Sequence, residues 1–176
     1  MTELAIAGTF VSVGNALQPF SRLMEAVLRI SDQLPQPLII QHGHTPLVST
    51  ACQARAFLSP AEFAKQIQNA QVLILHAGAG SVLHAVRAQR IPVILPRLAR
   101  HGEHVNDHQL VFARQLAAAG RVELAEDLST LWDSVVRASK RTSASAIDAN
   151  AQENQLVQDL RDLLNAYAQK LPSRNR

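Results

Sequence analysis

The sequence predicts an α/β fold: a parallel sheet with helices on both of its faces. Three observations lead there. Strand-like and helix-like segments alternate about five times along the chain. The segment Val72-Leu73-Ile74-Leu75 is apolar without alternation, as a strand covered on both faces should be. Aromatic residues are only 4% of the chain, so its 47% hydrophobic content is mostly Leu, Ala, Val and Ile, a mixture suited to helices packed on a buried sheet.

Thr9 to Val13 reads as a short buried strand, ended by Gly14-Asn15. From Leu17 to Ile30 the residues Phe20, Leu23, Val27 and Ile30 share one helical face. Pro35 and Pro37 interrupt the chain before a second strand, Leu38 to Gln41. A loop at His42 to Thr45 precedes a weaker third strand, Ala54 to Leu58. Ser59-Pro60-Ala61-Glu62 supplies an N-cap, a proline at N1 and an acid at N3, so a helix should run from there to about Asn69.

Val72 to Leu75 is the next strand, followed by His76-Ala77-Gly78-Ala79-Gly80-Ser81 and a helix to about Gln89. Ile91 to Pro96 is the next. The polar loop Arg97 to His104 leads into a helix ending at Gly120. Val122 to Leu124 reads as one more short strand and Leu128 to Ala138 as another helix. The main domain is therefore expected over 1–138. Residues 139–152, rich in Ser, Ala, Asn and Thr, read as a linker. An amphipathic helix is expected over 153–171, with Leu156, Leu160, Leu163, Leu164 and Tyr167 along one side.

With 176 residues there is room for one full core. The net charge of +3, from 17 basic and 14 acidic residues, is small and unclustered, and no stacking aromatics border a basic stripe; nucleic acid is not an expected partner. The single Cys52 excludes an intramolecular disulfide and a cysteine-based zinc cluster, and it agrees with a cytoplasmic setting. No apolar run approaches the ~18 residues that cross a bilayer. The start Met1-Thr2-Glu3-Leu4 carries an acid where a signal peptide carries bases, so work at a membrane would need a recruiting partner.

Two segments carry chemistry. Gly78-Ala79-Gly80-Ser81 stands between a buried strand and a helix, where open parallel sheets bind ligands. The first turn of a helix offers unpaired N–H groups and the positive end of its dipole, glycines let a ligand approach the backbone, and the Ser81 hydroxyl adds a donor. A diphosphate suits such a turn. No Gly-Lys-Ser/Thr follows, which excludes a Walker A loop, and a dinucleotide fingerprint belongs to the first strand rather than a late one. The second segment runs from Arg97 to Gln109 and is dense in hydrogen-bonding side chains, Glu103, Asp107, His108 and Gln109 among them, as recognition of sugar hydroxyls requires. A metal site from His101, His104 and His108 with Asp107 or Glu103 is disfavoured: Gly102 interrupts the helix that would align them, and there is no His-Glu-x-x-His. No metal and no cofactor are expected.

These segments, with Phe10-Val11-Ser12-Val13-Gly14, Pro96-Arg97 and Gly102-Glu103-His104-Val105-Asn106-Asp107-His108-Gln109, resemble the C-terminal domain of the family 28 glycosyltransferases over roughly Thr9 to Gly120. The likeness is greatest to the small subunits of two-component bacterial exopolysaccharide and capsule transferases. The resemblance implies the donor-binding, Rossmann-like half of a GT-B enzyme that takes a UDP-sugar without a metal. It places Gly14, beside Asn15, near the diphosphate, the backbone of Gly78, Ala79, Gly80 and Ser81 on phosphate oxygens, and Asp107, His108 and Gln109 on the donor sugar. Phe57-Leu58 would face uracil, and Arg97 or Arg100 would supply cations to the leaving group. His84 stands where relatives often carry a Glu that grips the ribose hydroxyls. Asn15 replaces the usual Thr, and Ser21 an Asp.

The catalytic base stays unassigned; His76 and His101 are the in-chain candidates. The resemblance further implies a membrane-anchored partner subunit that supplies the acceptor site, a lipid-linked saccharide acceptor, transfer of a hexose or uronic acid, and recruitment to the inner face of the membrane. The alternative is a non-catalytic nucleotide-sugar-binding subunit or sensor, for which His84, Asn15 and Ser21 speak.

Overall fold

The computed structural model describes residues 8–145. Six strands, β1 (Thr9–Ser12), β2 (Leu38–Gln41), β3 (Gln53–Arg55), β4 (Val72–Leu75), β5 (Val93–Ile94) and β6 (Glu123–Leu124), form one sheet in the order β3-β2-β1-β4-β5-β6. Every pairing is parallel. The helices are α1 (Ser21–Arg29), α2 (Pro60–Asn69), α3 (Ala79–Arg87), α4 (His108–Ala118) and α5 (Leu131–Ser145).

Strand alternation sorts the core into two layers. Val11, Ile40, Ile74 and Val93 point to a face covered by Leu23 and Val27 of α1 and by Leu131 and Val135 of α5. Phe10, Leu73, Leu75 and Ile94 point the other way, against Ile67 of α2, Val82 and Val86 of α3, and Phe112 and Leu116 of α4. Each fully buried Leu, Ile or Phe contributes roughly 1.5–3 kcal/mol. Helices therefore cover both faces of the sheet, as the uninterrupted apolar run of β4 predicts.

Local chemistry moves several boundaries. α1 begins at Ser21, not at Leu17, because the segment before it is committed elsewhere: the Phe20 N–H donates to the buried Thr45 hydroxyl at 2.9 Å, and Pro19 disfavours helical backbone just ahead of itself. β3 lies one register earlier than Ala54 to Leu58 and is an exposed edge strand. After it the Gly43 N–H still bonds the Ala56 carbonyl at 2.8 Å before the chain turns to the helix cap. β5 keeps two strand residues, flanked by Pro92 and Pro96, which have no N–H to give. α2 starts as expected: the Ser59 side chain accepts from the Glu62 N–H, and Glu62 accepts from the Ser59 N–H.

α5 continues to Ser145, into the segment that the composition marks as linker. Two arginines one turn apart explain it. Arg137 and Arg141 both grip Glu123, at 2.9 and 2.7 Å, and Arg141 also donates to the Gly120 carbonyl. Burial pushes the Glu123 carboxyl up, but the hydrogen bonds and charges of these arginines outweigh it and leave its pKa below the usual value. The rest of the expected linker and the helix expected over 153–171 lie outside the described residues. Among the described residues, no helix is long and apolar enough to cross a membrane.

Candidate functional site

The strand order reverses at β1: the chain runs outward through β2 and β3, then returns to place β4 on the other side. Loops leaving the carboxyl ends of β1 and β4 diverge there and open a crevice, the usual ligand position in such sheets. The turn after β1 carries Gly14 and Asn15; the turn after β4 carries Gly78 to Ser81. They are distant in sequence but adjacent in the sheet, since β1 and β4 pair directly.

Between the two turns lies His76, 9% exposed. Its Nδ1 faces the Ser12 carbonyl oxygen at 3.3 Å. A Cβ on either Gly14 or Gly78 would collide with its Nε2, so both positions must be glycine for the ring to fit; Gly14 moreover has φ +75°, which favours glycine by itself. Burial, then the Arg97 charge, lowers the His76 pKa to about 4, so the ring is neutral at pH 7.

Gly78 is the N-cap of α3 and has extended backbone. The N–H groups of the first turn have no acceptor within the helix and point toward the crevice. A Cβ on Gly80 would meet no protein atom within 4 Å, so the space above this turn is open. One helical turn on, His84 is exposed and stands edge-on to Phe63 of α2, with ring centroids 5.7 Å apart. Phe57, half exposed in the β3–α2 loop, meets the His44 ring in the same geometry at 5.1 Å.

A polar chain fixes the β1 turn. Ser12 Oγ donates to Gln41 Oε1 at 2.6 Å, Gln41 Nε2 donates to Asn15 Oδ1 at 3.1 Å, and the Gly14 N–H donates to Ser12 Oγ at 3.2 Å.

A second network ties that turn to the loop after β5. Arg97 is wholly buried, donating to the carbonyl oxygens of Val13, Gln18 and Glu103 at 2.7–3.0 Å, with its guanidinium 4.7 Å from the Phe20 ring centre. Glu103 accepts two bonds from Arg22, at 2.9 and 2.8 Å, and one from the Leu98 N–H at 2.9 Å. Burial pulls the Arg97 pKa down, and the Glu103 charge opposes that.

The Glycosyltransferase family 28 C-terminal domain model matches residues 9–166. The chain belongs to this family. Its fold is that of the C-terminal half of a GT-B glycosyltransferase. Among solved structures, the chain is similar to the glycosyltransferase of kitacinnamycin, with 18% identity and a TM-score of 0.54 over 95% of this chain and 41% of that one. The glycosyltransferase SnogD from Streptomyces nogalater matches at 13% identity and a TM-score of 0.45, over 88% of this chain and 43% of that one. The chain thus spans about two fifths of the length of these structures. No curated protein matches it.

In the family 28 domain the β1 turn, with Gly14 and Asn15, meets the start of α3, with Gly78, Ala79, Gly80 and Ser81, around His76; His84 stands one turn into α3 against Phe63, and Phe57 lies in the β3–α2 loop against His44. Asp107, His108 and Gln109 start α4, and each is held locally. Asp107 Oδ1 accepts from the Ala99 N–H at 2.8 Å, and Gln109 Oε1 accepts from the Arg97 N–H at 3.2 Å. The His108 N–H donates to Asn106 Oδ1 at 3.1 Å. Arg97 and Glu103 point inward: both terminal nitrogens of Arg97 donate to backbone carbonyls, its Nε is buried without a partner, and the Glu103 carboxylate is taken by Arg22 and the Leu98 N–H, so these side chains hold the loop. Arg100 and His101 are exposed and in contact, Nε to Nε2 at 3.3 Å. Among the described residues no group of three or more His, Cys, Asp or Glu side chains is placed to hold a metal.

Sequence reasoning passed over Gln41, Thr45 and the pairing role of Arg22. Their partners lie 25 to 81 residues away, and no local pattern signals such contacts.

Proposed function

We propose that this domain binds the diphosphate of a UDP-sugar at the β1/β4 switch point and presents the sugar for transfer. The observation that supports it is that the Gly14 turn and the Gly78 N-cap of α3 close together on His76 at the switch point, with open space beside Gly80 one step on. In this reading the first-turn N–H groups and the α3 dipole stabilise the departing diphosphate, as preorganised donors do where charge develops. The donor sugar, a hexose or uronic acid, lies toward Asp107, His108 and Gln109. The anchored side chains of Asp107 and Gln109 orient the atoms that remain for it, and Asp107 keeps its second carboxylate oxygen for a hydroxyl.

The acceptor oxygen must also lose a proton to a base within about 3 Å. His76 is poorly suited, being buried and having its pKa lowered to about 4. We assign the acceptor pocket and the base to a second Rossmann-like domain on a membrane-anchored partner, which would recruit this chain to the inner face of the membrane. Coverage of only 41% of a related transferase supports a functional unit larger than this domain. A lipid-linked saccharide in exopolysaccharide or capsule assembly is the proposed acceptor.

Calorimetric titration with UDP and UDP-sugars, with and without EDTA, tests the donor assignment. Binding that survives EDTA and is lost in Gly80→Val is expected. Equal binding by wild type and variant would sink the placement of the diphosphate. The acceptor assignment is tested by assaying transfer with and without the co-expressed partner; full activity of this chain alone would refute it.

A further inference from the structure

The polar chain beneath the β1 turn has a fixed direction, and that direction starts at a backbone group. The Gly14 N–H can only donate, so Ser12 Oγ accepts from it, at 3.2 Å. Ser12 is wholly buried, and its hydroxyl proton needs an acceptor within the protein. It finds Gln41 Oε1 at 2.6 Å. The Gln41 Nε2 is thereby left on the far side of the amide, where it donates to Asn15 Oδ1 at 3.1 Å. Gln41 is itself buried, so these two contacts hold its amide.

The Asn15 oxygen is bound inward, which turns its Nδ2 and two N–H groups outward. They have no protein partner among the described residues, and Asn15 is exposed. Reversing both amides would present the Asn15 oxygen instead. It would also set the Gln41 N–H groups against Ser12 Oγ and leave a buried hydroxyl proton unpaired, which is the costlier arrangement. The backbone is equally constrained. Gly43, just after β2, has φ +55°, and a Cβ there would collide with the Gly14 carbonyl oxygen, so the β2 and β1 turns pack directly on each other. Asn15 stands beyond the carboxyl end of β1, at the switch point. An outward amide nitrogen donates and does not accept, so it suits ligand atoms that only accept, as ionised phosphate oxygens do.

We propose that Gln41 is a positioning residue for donor binding: it locks the Asn15 amide with its N–H groups outward and so makes the β1 side of the crevice a donor surface for phosphate oxygens. The inference rests on the diphosphate placement proposed above and deepens it by naming the buried residue that sets the polarity of the turn.

The test is calorimetric titration of the full chain with UDP. Wild type is compared with Asn15→Asp, and with a cycle built from Gln41→Met and Asn15→Ala. Aspartate keeps the oxygen that Gln41 holds and replaces the outward N–H groups by a second oxygen. Asn15 is exposed, so this variant should melt as wild type does and bind UDP about 10-fold or more weakly. Gln41→Met keeps the side-chain length and removes both contacts, leaving the Asn15 amide free to turn. It should weaken UDP binding about 5-fold in the wild-type background and less than about 2-fold in the Asn15→Ala background. No loss, or equal losses in both backgrounds, would overturn the proposal, since Gln41 would then not act through Asn15. So would binding by Asn15→Asp within about 2-fold of wild type, a result that decides the matter even if Gln41→Met fails to fold. Wild-type binding that is lost in Gly80→Val but indifferent to both Asn15 variants would refute this inference alone. No binding by wild type would remove the diphosphate placement and the inference together.

Discussion

Replacing Glu103 by Gln tests whether the loop after β5 is held by charge. Glu103 is 4% exposed and Arg22 14%, and the carboxylate accepts three hydrogen bonds between 2.8 and 2.9 Å. The substitution keeps the shape but removes the carboxylate that pairs with Arg22 and whose charge offsets the burial of Arg97. Breaking one member of a buried pair typically costs about 3–5 kcal/mol, because a charge is left in low dielectric without compensation. Total stabilities of about 5–15 kcal/mol make that a large fraction. Urea unfolding followed by circular dichroism at low temperature would measure it. A shift in midpoint at constant slope would report stability rather than a change in the exposed surface. A companion variant, Arg22→Met with Glu103→Met, should lose less than the two single changes added together, since it removes a charge and its partner at once. A loss below about 1 kcal/mol for Glu103→Gln would show that the pair is screened by solvent and that the loop is held by packing.

Gly80→Val should keep the fold, since no protein atom lies within 4 Å of an added Cβ, and should weaken UDP binding by about 10-fold or more; calorimetry and a melting curve read both. Gly78→Ala should instead destabilise the protein through collision with His76, by about 1–3 kcal/mol in chemical denaturation. His76 has a folded pKa of about 4 against 6.5 for the free side chain, so the unfolded chain binds the extra proton. Its contribution is complete above pH 6.5 and is lost as pH falls toward 4, by up to about 3 kcal/mol. A His76→Asn variant measured across that window should lack this part of the slope. Ser59→Ala should cost about 1 kcal/mol by removing the α2 cap, seen as a lower midpoint with unchanged UDP affinity.

The fold was legible because its signals are local. The apolar run of β4 and the Ser59 capping box depend on neighbouring residues, and the structure reproduces both. The start of α1 was not legible: it is set by Thr45, 25 residues away, accepting from the Phe20 N–H. The length of α5 was hidden for a similar reason. Its Ser- and Thr-containing last turns look like linker by composition, yet Glu123, 14 and 18 residues back, anchors Arg137 and Arg141. The crevice was half legible. The Gly78 to Ser81 turn shows itself in sequence, but its neighbour at Gly14 becomes part of the same site only through the β1/β4 pairing.

A polar motif mixes two kinds of residue that sequence cannot separate, those that face the ligand and those that hold the loop. Arg97 and Gly80 both stand in motifs after parallel strands. Arg97 is wholly buried, and Gly80 faces open space. The division has a physical logic. A loop that must present backbone donors without reorganising needs its own carbonyls satisfied first, and Arg97 does that for Val13, Gln18 and Glu103 at once. Its charge is in turn compensated by Glu103 and faces the Phe20 ring. The carboxyl edge of the sheet is therefore rigid where the chain crosses between β1 and β5, and open where α3 begins. That is the arrangement an anion site needs if the work of orienting its donors is to be done before the ligand arrives.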